Sequence, residues 1–375
     1  MIYESCFKEK TSMQEYIHRH FEEISSPFTG GIELTGNCNL KCVHCYAESY
    51  RNHKTRKLTL DNIKKIIDQW VDMGLLEVFL TGGEALTRKD FKEIYKYIRT
   101  RGVFISLLTN ATLIDDDLIQ LFQEYPISLI SITMYGYTKE TYEKVTQTPG
   151  SFQNFKNAIQ LLKTNDIPFE LKTIGLTINY HEIRAIREYA KFLGVNCRSG
   201  FDIRPMNDGN KFPLQYRVSP EDAFKLDISD DKRREFWEQI AKNPSPQIDS
   251  QNRRNCGYLY PCNIAKQFAF ITADGYLRGC VKSCEYQYDI INGTFTDGWK
   301  ALKENIVDKK ASGNFVCLSC EKFRYCEQCT SNFILENHNA EQPVEFYCRV
   351  AEYRKQYVES YRQRNNIDTK TDSWR

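Results

Sequence analysis

The sequence predicts an α/β protein: a partial (β/α)6 TIM-like barrel followed by a cysteine-rich C-terminal module. From about residue 31, runs rich in Ile, Val, Leu, Phe and Thr alternate with helical periods. Such alternation implies parallel strands joined by right-handed crossovers. Six units fit between residues 31 and 204, fewer than the roughly 250 residues of a closed eightfold barrel would hold. The fourteen cysteines mark the rest: three fall within residues 38–45, nine within 256–348, and Cys6 and Cys197 stand alone.

In order, residues 1–30 are a polar lead-in. Strands are read near 32–35, 76–80, 103–108, 127–133, 168–177 and 199–204, since buried parallel strands are near-continuous apolar runs. Helices are read over 59–73, 88–100, 115–124, 151–164 and 181–193. In the first of them Ile63, Ile66, Ile67, Trp70 and Val71 make one apolar stripe. Ligands in such sheets bind at the carboxyl ends of the strands. Residues 205–255 hold five prolines and form a bridging region with room for two short helices; 256–375 form the cysteine-rich domain. Its hairpin joins Phe268–Ile271 to Tyr276–Val281 through Asp274-Gly275, and a last helix covers 346–363.

Composition sets bounds. With 375 residues, 41% hydrophobic and 27% charged, the chain suits one large soluble domain with an appended module. A net charge of +2 gives no global reason to expect nucleic acid or an anionic membrane. No apolar run approaches the roughly eighteen residues of a membrane span. Met1 to Cys6 lacks a basic region followed by an apolar stretch, so a secretory signal is not expected. Dense cysteines in such a chain point to metal or redox chemistry rather than disulfides.

The first strand runs into Thr35-Gly36-Asn37-Cys38-Asn39-Leu40-Lys41-Cys42-Val43-His44-Cys45-Tyr46. Three thiolates on one loop can hold three irons of a [4Fe–4S] cluster and leave the fourth open, as reactive metal centres require. Two other readings stand beside it. The same spacing puts the cysteines on one helical face, although Gly36, Asn37 and Asn39 favour a loop. A zinc site completed by His44 would need tetrahedral ligands from adjacent residues.

The Cys-x3-Cys-x2-Cys loop resembles the signature of the radical S-adenosylmethionine (SAM) superfamily. The resemblance implies that Cys38, Cys42 and Cys45 hold the cluster, and that SAM chelates the open iron. One-electron reduction then splits SAM to a 5′-deoxyadenosyl radical that abstracts hydrogen from an unactivated carbon. By the same resemblance His44 packs near the adenine, and Gly82-Gly83-Glu84, after the second strand, matches the motif that holds the SAM amino group. Alone, a Gly-Gly-Glu turn is only a turn. Asn110 matches a Thr-Asn-Gly turn, with Ala111 in place of glycine. Ser131 is expected at the SAM ribose or carboxylate, and Lys172 at the carboxylate. Asp202 and Arg204 either face the pocket or pair with each other.

The C-terminal order is Cys256-x5-Cys262-x12-Gly275-x4-Cys280, then Cys317-x2-Cys320-x5-Cys326-x2-Cys329, then Cys348. It resembles the SPASM-type extension of radical SAM enzymes. That implies two auxiliary [4Fe–4S] clusters, three in all: one on Cys256, Cys262, Cys280 and Cys329, the other on Cys317, Cys320, Cys326 and Cys348. Zinc-ribbon pairs are the alternative. The Cys326-x2-Cys329 spacing is one residue shorter than the family's usual form, and Cys284 is a substitute for Cys280 or a free thiol.

The resemblance implies a ribosomally made peptide as substrate, modified by crosslinking, epimerisation or a related oxidation. Tyr135-Gly136 and Thr138 to Thr146 resemble peptide-maturing members. The lead-in is too short for a leader-binding domain, so leader binding would need another surface or a separate protein; oxygen-sensitive clusters of this kind imply a cytoplasmic enzyme with flavodoxin or ferredoxin as reductant. For a redox-neutral epimerisation, Cys284 or Cys197 is a candidate hydrogen donor. A small molecule such as a tetrapyrrole or an aminoglycoside-like compound is the alternative substrate. Sulfatase maturation is less favoured, because Val281 stands where that branch has an aspartate.

Overall fold

A computed structural model describes residues 26–47, 58–242, 256–262, 264–327 and 329–367. Most of the lead-in, Cys6 and residues 243–255 of the bridging region lie outside these residues. The strands are β1 (Thr29–Glu33), β2 (Glu77–Thr81), β3 (Phe104–Thr109), β4 (Leu129–Thr133), β5 (Phe169–Ile174), β6 (Cys197–Gly200), β7 (Phe268–Ile271), β8 (Tyr276–Arg278) and β9 (Tyr288–Asp289). The helices are α1 (Leu60–Asp72), α2 (Phe91–Thr100), α3 (Asp116–Glu124), α4 (Lys139–Thr146), α5 (Ser151–Thr164), α6 (Ile183–Leu193), α7 (Pro220–Ile228), α8 (Asp231–Lys242), α9 (Phe295–Leu302), α10 (Thr330–Asn337) and α11 (Glu345–Arg364).

One nine-stranded sheet runs β6-β5-β4-β3-β2-β1-β7-β8-β9. Strands β1 to β6 are parallel neighbours, as the alternating pattern demands. The sheet does not stop at β1. Strand β7, from the cysteine-rich region, pairs with it in parallel, Gly30 opposite Ala269, and the hairpin β7–β8 then turns antiparallel. The C-terminal region is therefore welded to the barrel through backbone hydrogen bonds.

Helix α1 shows how the sequence builds the outer layer. Thr59 Oγ1 accepts from the Asn62 amide at 3.1 Å while Asn62 Oδ1 accepts from the Thr59 amide at 3.1 Å, capping two otherwise orphan donors. Ile63, Ile66, Ile67 and Trp70 are buried, each contributing roughly 1.5–3 kcal/mol of burial. The Trp70 ring stacks on Phe295 of α9 at 4.9 Å, a second tie between the two regions.

The strands sit close to their expected places, with two shifts. The first lies at 29–33 rather than 32–35, and the sixth at 197–200 rather than 199–204, so residues 201–206 take no regular structure. Helix α4 was not expected. It is short and mostly polar, and is fixed by Thr138, whose Oγ1 accepts from the Thr141 amide at 3.2 Å, and by Glu182, which accepts from the Tyr137 amide at 2.6 Å. Helix α11 packs on α7 and α8 around buried Arg354, whose Nε donates to Asp227 at 2.8 Å.

Candidate functional site

The site begins where β1 ends. Residues 36–47 form a loop with no helical segment, which removes the reading of the three cysteines as one helical face. Two backbone bonds stitch the loop to the end of α4: Lys41 N donates to Thr146 O and Val43 N to Val145 O, each at 3.0 Å. The Leu40 amide donates to Cys38 Sγ at 3.4 Å.

The Gly82-Gly83 turn locks onto this loop. Gly83 N donates to Thr35 O at 2.8 Å and Glu84 N to Asn37 O at 2.7 Å. A Cβ at Gly83 would stand 2.3 Å from Asn37 O, and Gly82, at φ +150°, would meet Thr35 O at 2.4 Å. Only glycine permits this approach. Glu84 follows, almost fully buried; Oε1 accepts from Thr109 Oγ1 at 2.9 Å and from Leu86 N at 3.2 Å, and Oε2 from Asn110 N at 2.8 Å. Burial raises its acid above the usual range, against the pull of those hydrogen bonds and of Lys172. Oε2 retains acceptor capacity for a cation.

These pieces surround a cavity of about 410 Å³ at the carboxyl ends of the strands. Cys38, Cys42, Cys45, His44, Gly82, Gly83, Glu84, Asn110 and Lys172 all line it. Burial lowers the Lys172 ammonium to about 8, helped by Arg198 and opposed by Glu170 and Glu84. The His44 ring lies 5.6 Å from that of Tyr135, and its Nδ1 is buried without a hydrogen-bond partner. Burial lowers its imidazole to about 4, so the ring is neutral at pH 7. Asn110 is held through its side chain, donating to Asn39 at 3.0 Å and accepting from Thr112 at 2.6 Å. Ala111, where the motif has glycine, keeps the left-handed backbone at φ 65°.

Ser131 is placed differently from expectation. It does not line the cavity; its hydroxyl donates to Glu170 at 2.7 Å and accepts from Arg198 at 3.0 Å. Thr133, two residues further along the same face of β4, lines the cavity instead, as does Tyr135. Asp202 and Arg204 both reach the cavity and do not pair with each other. Asp202 binds Lys282 and Tyr347, while the Arg204 guanidinium lies 4.0 Å over the Tyr46 ring. Sequence reasoning missed Tyr46, Thr133, Tyr135 and Lys282. The alternation along β4 pointed to Thr133; nothing local pointed to Lys282.

The C-terminal cysteines fall into two neighbourhoods. The crowding of protein around Cys262 pushes its thiol up to about 11, and Cys329 and Cys280 add to the rise. Cys348 is raised by burial and then by Cys320. Cys317 is buried, and Cys256 reaches the surface, its carbonyl accepting from Lys310 at 2.9 Å. Cys284 keeps other company: Arg278 Nη1 donates to its sulfur at 3.3 Å. Neither Cys284 nor Cys197 lines the cavity. Among the described residues, no three His, Cys, Asp or Glu side chains converge as they would on a single metal ion, whereas a cubane takes one thiolate per iron.

The residues present fit a SAM-chelating cluster. Three thiols share one cavity wall, a carboxylate and an ammonium stand ready for a zwitterionic amino acid, and a ring nitrogen is buried without a partner. No described helix is long and apolar enough to cross a membrane.

Comparison with known proteins agrees with this reading. Residues 32–190 match the model of the radical SAM superfamily. An AdoMet-dependent heme synthase of Methanosarcina barkeri is 33% identical over 194 residues, 52% of this chain and 55% of that protein. The antilisterial bacteriocin subtilosin biosynthesis protein AlbA of Bacillus subtilis is 29% identical over 178 residues, 47% of this chain and 40% of that one. The chain thus spans about half the length of these curated relatives or less. Streptococcus suis SuiB, solved bound to the precursor peptide SuiA, shares the fold with a TM-score of 0.65 at 16% identity, covering 88% of this chain and 78% of that one.

Proposed function

Residues 32–190 are a radical SAM domain, and from that premise we propose that this chain uses SAM to modify a ribosomally made peptide. The observation that carries the reading is the sharing of one cavity by Cys38, Cys42, Cys45, Glu84 and Lys172. In the proposal the three cysteines hold a [4Fe–4S] cluster. When SAM and the cluster are bound, they supply a carbon-centred radical that abstracts hydrogen from an unactivated carbon.

The chain's own residues orient SAM. Glu84 takes the ammonium of its methionine end and Lys172 the carboxylate, two charge-assisted contacts. The neutral His44 ring offers Nδ1 and a flat face to the adenine. Asn110, fixed by Thr112 and Asn39, sets the height of the turn beside them. The two C-terminal neighbourhoods, Cys262 with Cys280 and Cys329 and Cys320 with Cys348, carry auxiliary clusters together with Cys256, Cys317 and Cys326. A flavodoxin or ferredoxin in the cytoplasm would supply the electron, and a separate protein would present the leader.

The fold shared with SuiB, which binds a precursor peptide, and the likeness to AlbA support the peptide substrate. A specific observation favours a second reading: the heme synthase likeness reaches 33% identity, which supports a tetrapyrrole-like small molecule. Val281 lines the cavity where a carboxylate base would be needed for sulfatase maturation.

The test is mass spectrometry of a short peptide encoded beside the gene, after anaerobic co-expression with the enzyme or its Cys42→Ala variant. Loss of two hydrogens only with the intact enzyme establishes oxidative modification. Unchanged mass with deuterium uptake from heavy water establishes epimerisation. Neither change, with SAM still cleaved, turns the reading to a small molecule.

A further inference from the structure

Lys172 is not the only cation on the cavity wall. Arg204 is 6% exposed, lines the same cavity, and stacks on Tyr46 just past Cys45. Its Nη1 donates to Asn207 at 2.9 Å, while its buried Nη2 has no hydrogen-bond partner. A buried charge left this way is costly unless an anion completes it.

The nearby carboxylates do not complete it. Asp202 already accepts from Lys282, from Tyr347 and, at 3.3 Å, from Asn332. Glu33 accepts from the Ala273 amide at 3.3 Å, and burial pushes its acid up to about 7. Neither forms an ion pair with Arg204. Lys172 and Arg204 also occupy separate surroundings: Lys172 feels Glu84, Glu170 and Arg198, whereas Arg204 feels Glu33, Asp202 and Lys282.

We propose that Arg204 binds a carboxylate of the substrate, distinct from the carboxylate of SAM, and so selects substrates bearing an acid near the carbon that is modified. On the peptide reading, on which this choice rests, the acid is an Asp or Glu side chain in the core peptide. On the small-molecule reading it would be a propionate.

The test measures binding to the anaerobically reconstituted enzyme with SAM bound. The probes are N-acetyl-glutamate methylamide, its neutral glutamine counterpart, and coproporphyrin III. The acid probe is expected to bind roughly tenfold or more tightly than the amide, as a charge-assisted bond to a buried guanidinium implies. Arg204→Gln should erase that preference and Arg204→Lys restore part of it, while SAM affinity stays within about twofold in both. If only coproporphyrin III shows the Arg204 dependence, the carboxylate site stands and the peptide reading fails. Equal binding of acid and amide overturns the proposal. So does a loss of SAM affinity matching the loss of probe affinity in both variants, since the guanidinium then serves SAM or the fold.

Discussion

The two cysteine regions are assembled in opposite ways. In the first, Cys38, Cys42 and Cys45 lie on one loop, and hydrogen bonds from Gly83, Glu84, Lys41 and Val43 hold that loop between β2 and α4. In the second, the neighbours Cys262, Cys280 and Cys329 come from well-separated stretches of chain, and Cys320 meets Cys348 on α11. A local loop can present its ligands once two turns are in place. A dispersed set exists only after β7, β8, α10 and α11 have packed. Damage to the first should therefore stay local in structure and be total in chemistry. Damage to the frame of the second should appear as lost stability.

The sharpest way to break this comparison is Cys42→Ala against Cys329→Ala. The first is expected to cut reductive SAM cleavage by at least about 100-fold, more than losing a group that merely supports a ligand. The second should leave SAM cleavage measurable while product formation fails. SAM cleavage assays with iron counts on both variants check this; equal loss in both would dissolve the distinction.

Next in size is the frame of the second region. Asp227→Ala leaves Arg354, 2% exposed, without its buried carboxylate, with only the half-exposed Glu327 still paired to it at 3.1 Å. Removing one partner of a buried pair costs about 3–5 kcal/mol. Denaturant unfolding should show that drop, with release of iron from the C-terminal region before the barrel unfolds.

The seam between the regions holds Glu33, at the end of β1 and bonded to the Ala273 amide of the β7–β8 hairpin. Burial is the main cause that pushes its acid from 4.5 to about 7. A raised acid contributes stability that is complete below pH 4.5 and is lost as pH climbs through 7. Glu33→Gln should therefore match the parent near pH 4.5 and exceed it by about 3 kcal/mol above pH 7. Unfolding curves across that window check the sign; parallel curves would show that the acid is not held neutral.

The smallest effects separate two glycines. Gly83→Ala puts a methyl 2.3 Å from Asn37 O and should cost about 1–3 kcal/mol, with weaker cluster loading. Gly313→Ala, in the C-terminal region, meets nothing within 4 Å and should stay within about 0.5 kcal/mol. Thermal melts of the two variants make the comparison.

Particular residues show how far local pattern reaches. The Ile63–Trp70 stripe, the parallel order of β1 to β6 and the β7–β8 hairpin follow from periods of 3.6 and 2. Ser131 shows where period 2 runs out: it names a face of β4 but not a depth along it, and the cavity begins two residues later, at Thr133. Helix α4 was missed because it is short and polar and depends on Glu182, far along the chain, for its start. Cys280 rather than Cys284 stands with Cys329, although the hairpin spacing alone left both open.

By itself the sequence determined what short-range chemistry can encode: a cysteine loop after a strand, a glycine turn before Glu84, and strands that had to lie parallel. Tertiary structure decided the rest, because those features depend on groups far apart in the chain. It joined β7 to β1, sent Lys282 to Asp202 and so left Arg204 without a carboxylate. It also gathered thiols from opposite ends of the C-terminal region, where burial and charge could be settled only once every neighbour was in place.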